Sequence, residues 1–155
     1  GSQVNNLNTE PKGPIAFLEH ILHEAYREYL EALDLDPEHP FATAAPSEYK
    51  ISIFGTILSK GGYQLPHFHR AGWLSGVYYV EVPEEIIANQ PEHSGCIEFG
   101  RLHPDMKINR EPLVEILQPE EGLMLLFPSY FHHNTVPFTK SARRISIAFD
   151  FKPAD

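Results

Sequence analysis

Ile15, Leu18, Leu22, Ala25, Tyr26, Tyr29 and Leu33 recur at steps of three and four, while Glu24, Arg27, Glu28 and Glu31 fall on the opposite side. This spacing predicts one amphipathic helix over residues 14–34. Pro14 suits its first position, where a missing N–H costs nothing, and Asp36-Pro37 marks the exit. Residues 1–13 are polar and read as a flexible lead-in, with Gly1-Ser2 resembling a cloning remnant of a longer natural chain. Beyond Ser47 the period drops to two. Short strands are predicted near 50–58, 64–69, 73–82, 95–100, 113–117, 123–127, 132–137 and 144–151, divided by turns such as Gly61-Gly62 and Pro119-Glu120-Glu121-Gly122. So many short strands without helices between them predict a mainly β chain, a two-sheet sandwich or jelly roll, with the helix packed on one sheet from outside. The whole of 14–155 reads as one domain with a β core over about 49–151.

Composition agrees and narrows the function. With 155 residues, 42% hydrophobic and 21% charged, the chain has globular character and room for one real core. A net charge of −9 argues against a nucleic-acid partner or an anionic membrane surface. No apolar run approaches the ~18 residues of a membrane-spanning helix. Cys96 is the only cysteine, so a disulfide framework is impossible and a reducing, cytoplasmic setting is expected. The unusual feature is nine histidines.

Two of them form His67-Phe68-His69. On a strand, residues two apart share a face, so both rings can aim at one point. A third, His133, follows the apolar strand ending Phe127-Pro128-Ser129. Three neutral imidazoles suit Fe(II), Zn(II), Cu(II) or Ni(II) and leave positions open for water or substrate. A bare pair of histidines is weak support; the third at a strand end strengthens it. His20, His23, His39, His93 and His103 have no such setting and read as surface or loop residues.

Arg144, Ser146 and Ala148 share one face of the last strand, and Ile145, Ile147 and Phe149 the other. Taken alone, Arg144 fits a wet sheet rim. Beside a metal it reads better as an inward guanidinium holding the far end of a dicarboxylate, because burying that charge without an anion is unfavourable. Tyr79 shares parity with His67 and His69 and either joins Arg144 at that carboxylate or is an ordinary wall residue.

Three blocks, in order, resemble the iron(II)- and 2-oxoglutarate-dependent oxygenase superfamily, in its branch with His-x-His…His ligands. They are His67-Phe-His-Arg-Ala-Gly-Trp-Leu-Ser-Gly-Val-Tyr-Tyr-Val80, Leu126-Phe-Pro-Ser-Tyr-Phe-His-His-Asn-Thr-Val-Pro137 and Arg143-Arg-Ile-Ser146. The Ser94–Phe99 segment is similar to the glycine-bearing strand between them. The resemblance implies a double-stranded β-helix, an Fe(II) centre on His67, His69 and His133, and 2-oxoglutarate held by Arg144, Ser146 and Tyr79. His69 stands where most of the superfamily has Asp or Glu, and His132 is implied to point away by its distance from Pro137. It also implies O2 as cosubstrate and a dioxygenase, by default a hydroxylase, that converts 2-oxoglutarate to succinate while oxidising a second substrate.

A cupin is the rival reading, a metal-dependent dioxygenase or isomerase without 2-oxoglutarate. Gly61 leads into His67-x-His69, and Gly122 into Pro128 and His133, with the spacing of two cupin motifs. The glutamate expected soon after His69 is missing, and a cupin gives Arg144-x-Ser146 no task. A non-catalytic metal-binding jelly roll is the third. The helix and the segments 37–47 and 85–94 are expected to frame the mouth, without revealing the substrate, and the oligomeric state is not legible.

Overall fold

The computed structural model describes residues 1–9, 13–33, 36–59, 61–87, 92–138 and 143–154. The amphipathic pattern becomes helix α1 (Pro14–Ala32), with Pro14 opening it; the expected end at 34 lies outside the described residues. The described residues form nine strands, of which all but the first fall on the period-two stretches: β1 (Ser2–Val4), β2 (Tyr49–Leu58), β3 (Gln64–His67), β4 (Leu74–Glu81), β5 (Ile97–Phe99), β6 (Glu115–Leu117), β7 (Met124–Pro128), β8 (His133–Thr135) and β9 (Arg144–Pro153). They build two antiparallel sheets, in the orders β1-β2-β9-β4-β7 and β3-β8-β5-β6.

The N-terminal segment differs from the expected loose lead-in. Ser2–Val4 add to the edge of the large sheet, Val4 opposite Gly55. All three residues are exposed, so no alternation of apolar side chains announces this strand; backbone pairing with β2 is its main support. Two short helices interrupt stretches read as loop, α2 (Pro40–Thr43) and α3 (Glu84–Ile87). In α2 the exposed His39 imidazole, read as a surface or loop residue, also accepts the Phe41 N–H and caps the helix.

The alternation along β9 divides the core into two layers. Phe149 and Phe151 point outward and pack under α1 with Leu18, Leu22, Tyr26, Ile53 and Leu74. The opposite face looks into the space between the sheets, where Leu58, Val77, Tyr79, Ile97 and Phe127 form a second cluster. Helix α1 therefore seals the large sheet from outside and does not frame a mouth. Gly76 on β4 is pinned in this arrangement, since a Cβ there would lie 2.4 Å from the Phe149 ring and 2.6 Å from the Leu125 carbonyl oxygen. Gly76→Ala is expected to destabilise by about 1–3 kcal/mol through overpacking, visible in calorimetry as a drop of roughly 2–4 °C per kcal/mol.

Candidate metal centre

β3 and β8 lie side by side with His67 directly opposite His133. Their ring centroids are 4.4 Å apart, and those of His69 and His133 5.0 Å. One ring nitrogen from each of His67, His69 and His133 falls within 4.8 Å of the others, the spread expected of ligands to a single ion. His69 arrives differently from the expected strand parity. β3 ends at His67, with a register irregularity between Gln64 and His67. His69 is instead fixed in the following loop, where its N–H donates to the Ser129 carbonyl at 2.9 Å.

Each imidazole has one nitrogen already engaged. Nδ1 of His67 meets the Leu65 carbonyl oxygen at 2.7 Å, and Nδ1 of His133 the Phe131 carbonyl oxygen at 3.0 Å. Both partners are acceptors only, so Nδ1 carries the proton and Nε2 keeps its lone pair. The third acceptor is a carboxylate: Nδ1 of His69 donates to Asp150 Oδ1 at 2.5 Å. Burial, aided by the neighbouring His67 and His69, pushes the His133 pKa down to about 3 against the pull of Phe131 O, and burial also lowers His67. These two rings are neutral at ordinary pH and present free electron pairs. With the His69 ring beside them, this donor set fits a divalent transition metal.

Asp150 was not singled out by the sequence reading. Its signal was there: the alternation Arg144, Ser146, Ala148 continues to Asp150 on the same face of β9. Ser75 donates to Asp150 Oδ1 at 2.7 Å, and Ser75 and Ser129 hydroxyls lie 2.7 Å apart. Burial works to raise the Asp150 pKa, but the hydrogen bonds from His69 and Ser75 hold it below the usual carboxylate range. Both serines come from the blocks that carry the family resemblance; Ser75 bonds the residue that orients His69, and Ser129 bonds Ser75. His132 does turn aside, its ring 4.9 Å from Phe68 and facing a separate apolar groove with Phe99, Leu113 and Phe131.

The histidines open onto a cavity of about 450 Å³ whose walls include Thr56, Tyr79, Thr135, Arg144 and Ser146. Arg144 is 3% exposed, its guanidinium 5.5 Å over the Tyr79 ring. It donates to the Gly95 carbonyl at 2.6 Å and to Thr135 Oγ1 at 3.2 Å, while its Nε has no partner. No carboxylate pairs with it among the described residues. Thr135, which accepts one of these bonds, lies two residues from His133 on the same face of β8, one strand repeat of ~6.6–6.8 Å along the backbone. The Tyr79 hydroxyl has its pKa raised to about 12 by burial, with Arg144 opposing, so it remains protonated. Of the segments expected to frame the mouth, 37–47 contributes Pro40, Phe41 and Ala44 to a cleft beside His69, and residues 88–91 lie outside the described residues.

A family model described as "Putative 2OG-Fe(II) oxygenase" matches residues 52–150. No curated protein matches the chain. Among solved structures, a Pseudomonas putida prolyl-4-hydroxylase superposes with TM-score 0.60 at 13% identity, covering 99% of this chain and 71% of that one. A viral collagen prolyl hydroxylase from Paramecium Bursaria Chlorella virus-1, in complex with 2OG, gives TM-score 0.59 at 14% identity over 99% of this chain and 80% of that one. The alpha-ketoglutarate-dependent epimerase SnoN of nogalamycin biosynthesis gives 0.63 at 14% identity, with 98% of this chain but 60% of its own length covered. At such identities the likeness is one of fold, and the fold is the expected jelly roll.

Proposed function

Because the chain belongs to the 2OG-Fe(II) oxygenase family, we propose that His67, His69 and His133 are its iron ligands and that Arg144, Ser146 and Tyr79 hold the far carboxylate of 2-oxoglutarate. The protein is an oxidoreductase that uses Fe(II), 2-oxoglutarate and O2. The observation that carries the site assignment is the meeting of three clustered imidazole nitrogens and a buried guanidinium that lacks an anion in the lining of one cavity. The cupin reading gains nothing comparable: no glutamate joins the cluster among the described residues, and Arg144 has a task only if a dicarboxylate enters.

Bound iron and 2-oxoglutarate supply the oxidising power, coupling decarboxylation to succinate with substrate oxidation. The chain supplies geometry. Leu65, Phe131 and Asp150 fix the tautomers and orientations of the three histidines. Arg144 and Ser146 give the cosubstrate a charged fork and a hydroxyl, which sets its direction relative to the triad. The apolar wall of Val77, Ile97 and Phe127 limits water around the reacting end. Hydroxylation is the proposed outcome; the fold neighbours include both hydroxylases and an epimerase, so likeness of fold does not choose the substrate. Among the described residues no helix is long and apolar enough to cross a membrane, and the lone, buried Cys96 suits the reducing cytoplasm proposed for the protein.

Asp150 provides a test that separates orientation from ligation. Asp150→Asn keeps an acceptor for His69 but removes the charge, and metal affinity measured by competition with a chelator is expected to fall about 10–100-fold. An unchanged affinity would remove Asp150 from the site, whereas complete loss would make it a ligand in place of His69.

A further inference from the structure

Around the cavity beside the histidines the charge balance runs against that of the whole protein. The chain carries −9, yet the charged side chains lining this cavity are three cations, Arg70, Arg144 and Lys152, and one carboxylate, Asp150. Asp150 is committed to His69 and Ser75. A divalent metal and a dicarboxylate cancel one another, so the cationic surplus remains with both bound. It is also polarised. Arg144 lies six residues before Asp150 on β9, at the far end of the cavity, whereas Lys152 lies two residues beyond it and Arg70 directly follows His69. Neither Arg70 nor Lys152 forms an ion pair among the described residues, although the Lys152 charge helps to hold the Asp150 carboxyl down.

Beside them a cleft of about 260 Å³ shares His69 and Arg70 with the cavity and is walled by Phe41, Phe68, Trp73 and Tyr130. The Arg70 guanidinium stands 5.6 Å over the Phe68 ring, held at the junction of the two spaces. Aromatic walls accept an apolar or ring-shaped body, and a fork-shaped cation at the junction matches a carboxylate. We propose that Arg70 and Lys152 form a second anion subsite, on the side of the histidines away from Arg144, and that the substrate is a carboxylate-bearing molecule with an apolar body lying in the aromatic cleft. This rests on the oxygenase reading, which makes the histidines the place of reaction. The carboxylate belongs either to a free acid or to an acidic side chain of a peptide.

Trp73 is the only tryptophan and lines the cleft, so its emission reports occupancy directly. Protein loaded with Zn(II) and saturating 2-oxoglutarate, which does not turn over, is titrated with N-acetylphenylalanine, its neutral amide, and an end-capped phenylalanine-glutamate dipeptide. At least one of the two carboxylates is expected to bind about tenfold or more tighter than the amide. A response to the free acid alone identifies a metabolite-like substrate, and one to the dipeptide alone a protein side chain. Arg70→Gln is expected to erase the preference, and Lys152→Gln to reduce it, with metal content and the melting shift by 2-oxoglutarate unchanged in both. Equal binding of acid and amide, no binding of any probe, or a preference that survives Arg70→Gln would overturn the proposal. Loss of the metal or of the 2-oxoglutarate shift in the wild-type protein would instead count against the oxygenase site itself.

Discussion

Arg144→Ala is expected to abolish the rise in melting temperature produced by 2-oxoglutarate while leaving bound metal in place. Wild-type protein with Mn(II) should gain about 2.7 kcal/mol of stability at a hundredfold excess of ligand over its dissociation constant, by mass action alone. Pyruvate, which lacks the far carboxylate, should not produce this gain. The size of the loss follows from the setting: Arg144 is buried, its Nε is unpartnered, and no acid balances it among the described residues, so the ligand supplies a missing counter-charge. Arg144→Met controls for the space left by alanine and should fail in the same way. Arg143→Ala should respond like the wild type, because Arg143 is exposed and bonded to Glu81 at the surface. An undiminished shift in both Arg144 variants would return this residue to a structural role.

His133→Ala should remove stoichiometric metal, as measured by elemental analysis after gel filtration. The effect should exceed the ~10–100-fold weakening expected when only a supporting partner is lost. His133 is the most buried of the three rings and faces both others, so no outside water or side chain readily replaces it. His132→Ala should retain the metal, since that ring lies against Phe68 and opens to another groove. The opposite pattern would mean that β8 presents the neighbouring histidine and that the strand register is shifted by one residue.

The sandwich and most of its strands were legible because short β-prone apolar runs are set off by turn residues, although β2, β4 and β9, covered on both faces, keep no strict alternation of burial. His67, His133, Arg144 and Ser146 were legible from strand parity, as inward positions. β1 was not, since a strand exposed on both faces leaves no alternation of burial to read. His69 was placed beside the other two rings by strand parity, whereas a loop hydrogen bond to Ser129 sets its position. Asp150 lay one step past where the reading of β9 stopped. Ser75, Ser129 and Asp150 come from three distant parts of the chain, and only the strand pairing shows that Ser129 bonds Ser75 and Ser75 bonds Asp150. The cleft beside His69 depends on α2, whose four residues are too few to give a helical period.

β9 carries ten residues paired on one side along their whole length with β2 and flanked on the other by β4. Its two faces have unrelated tasks, one ordering rings beneath a helix and the other ordering charges around a cavity. A single inserted or deleted residue near its middle would exchange those tasks for everything downstream, sending Phe149 or Phe151 into the polar space and Asp150 under the helix. Substitutions along this strand can be absorbed one at a time, but its length cannot drift. The lineage of such a protein should therefore vary in size almost everywhere else, in turns such as 103–112, while the count from Arg144 to Lys152 stays fixed at nine.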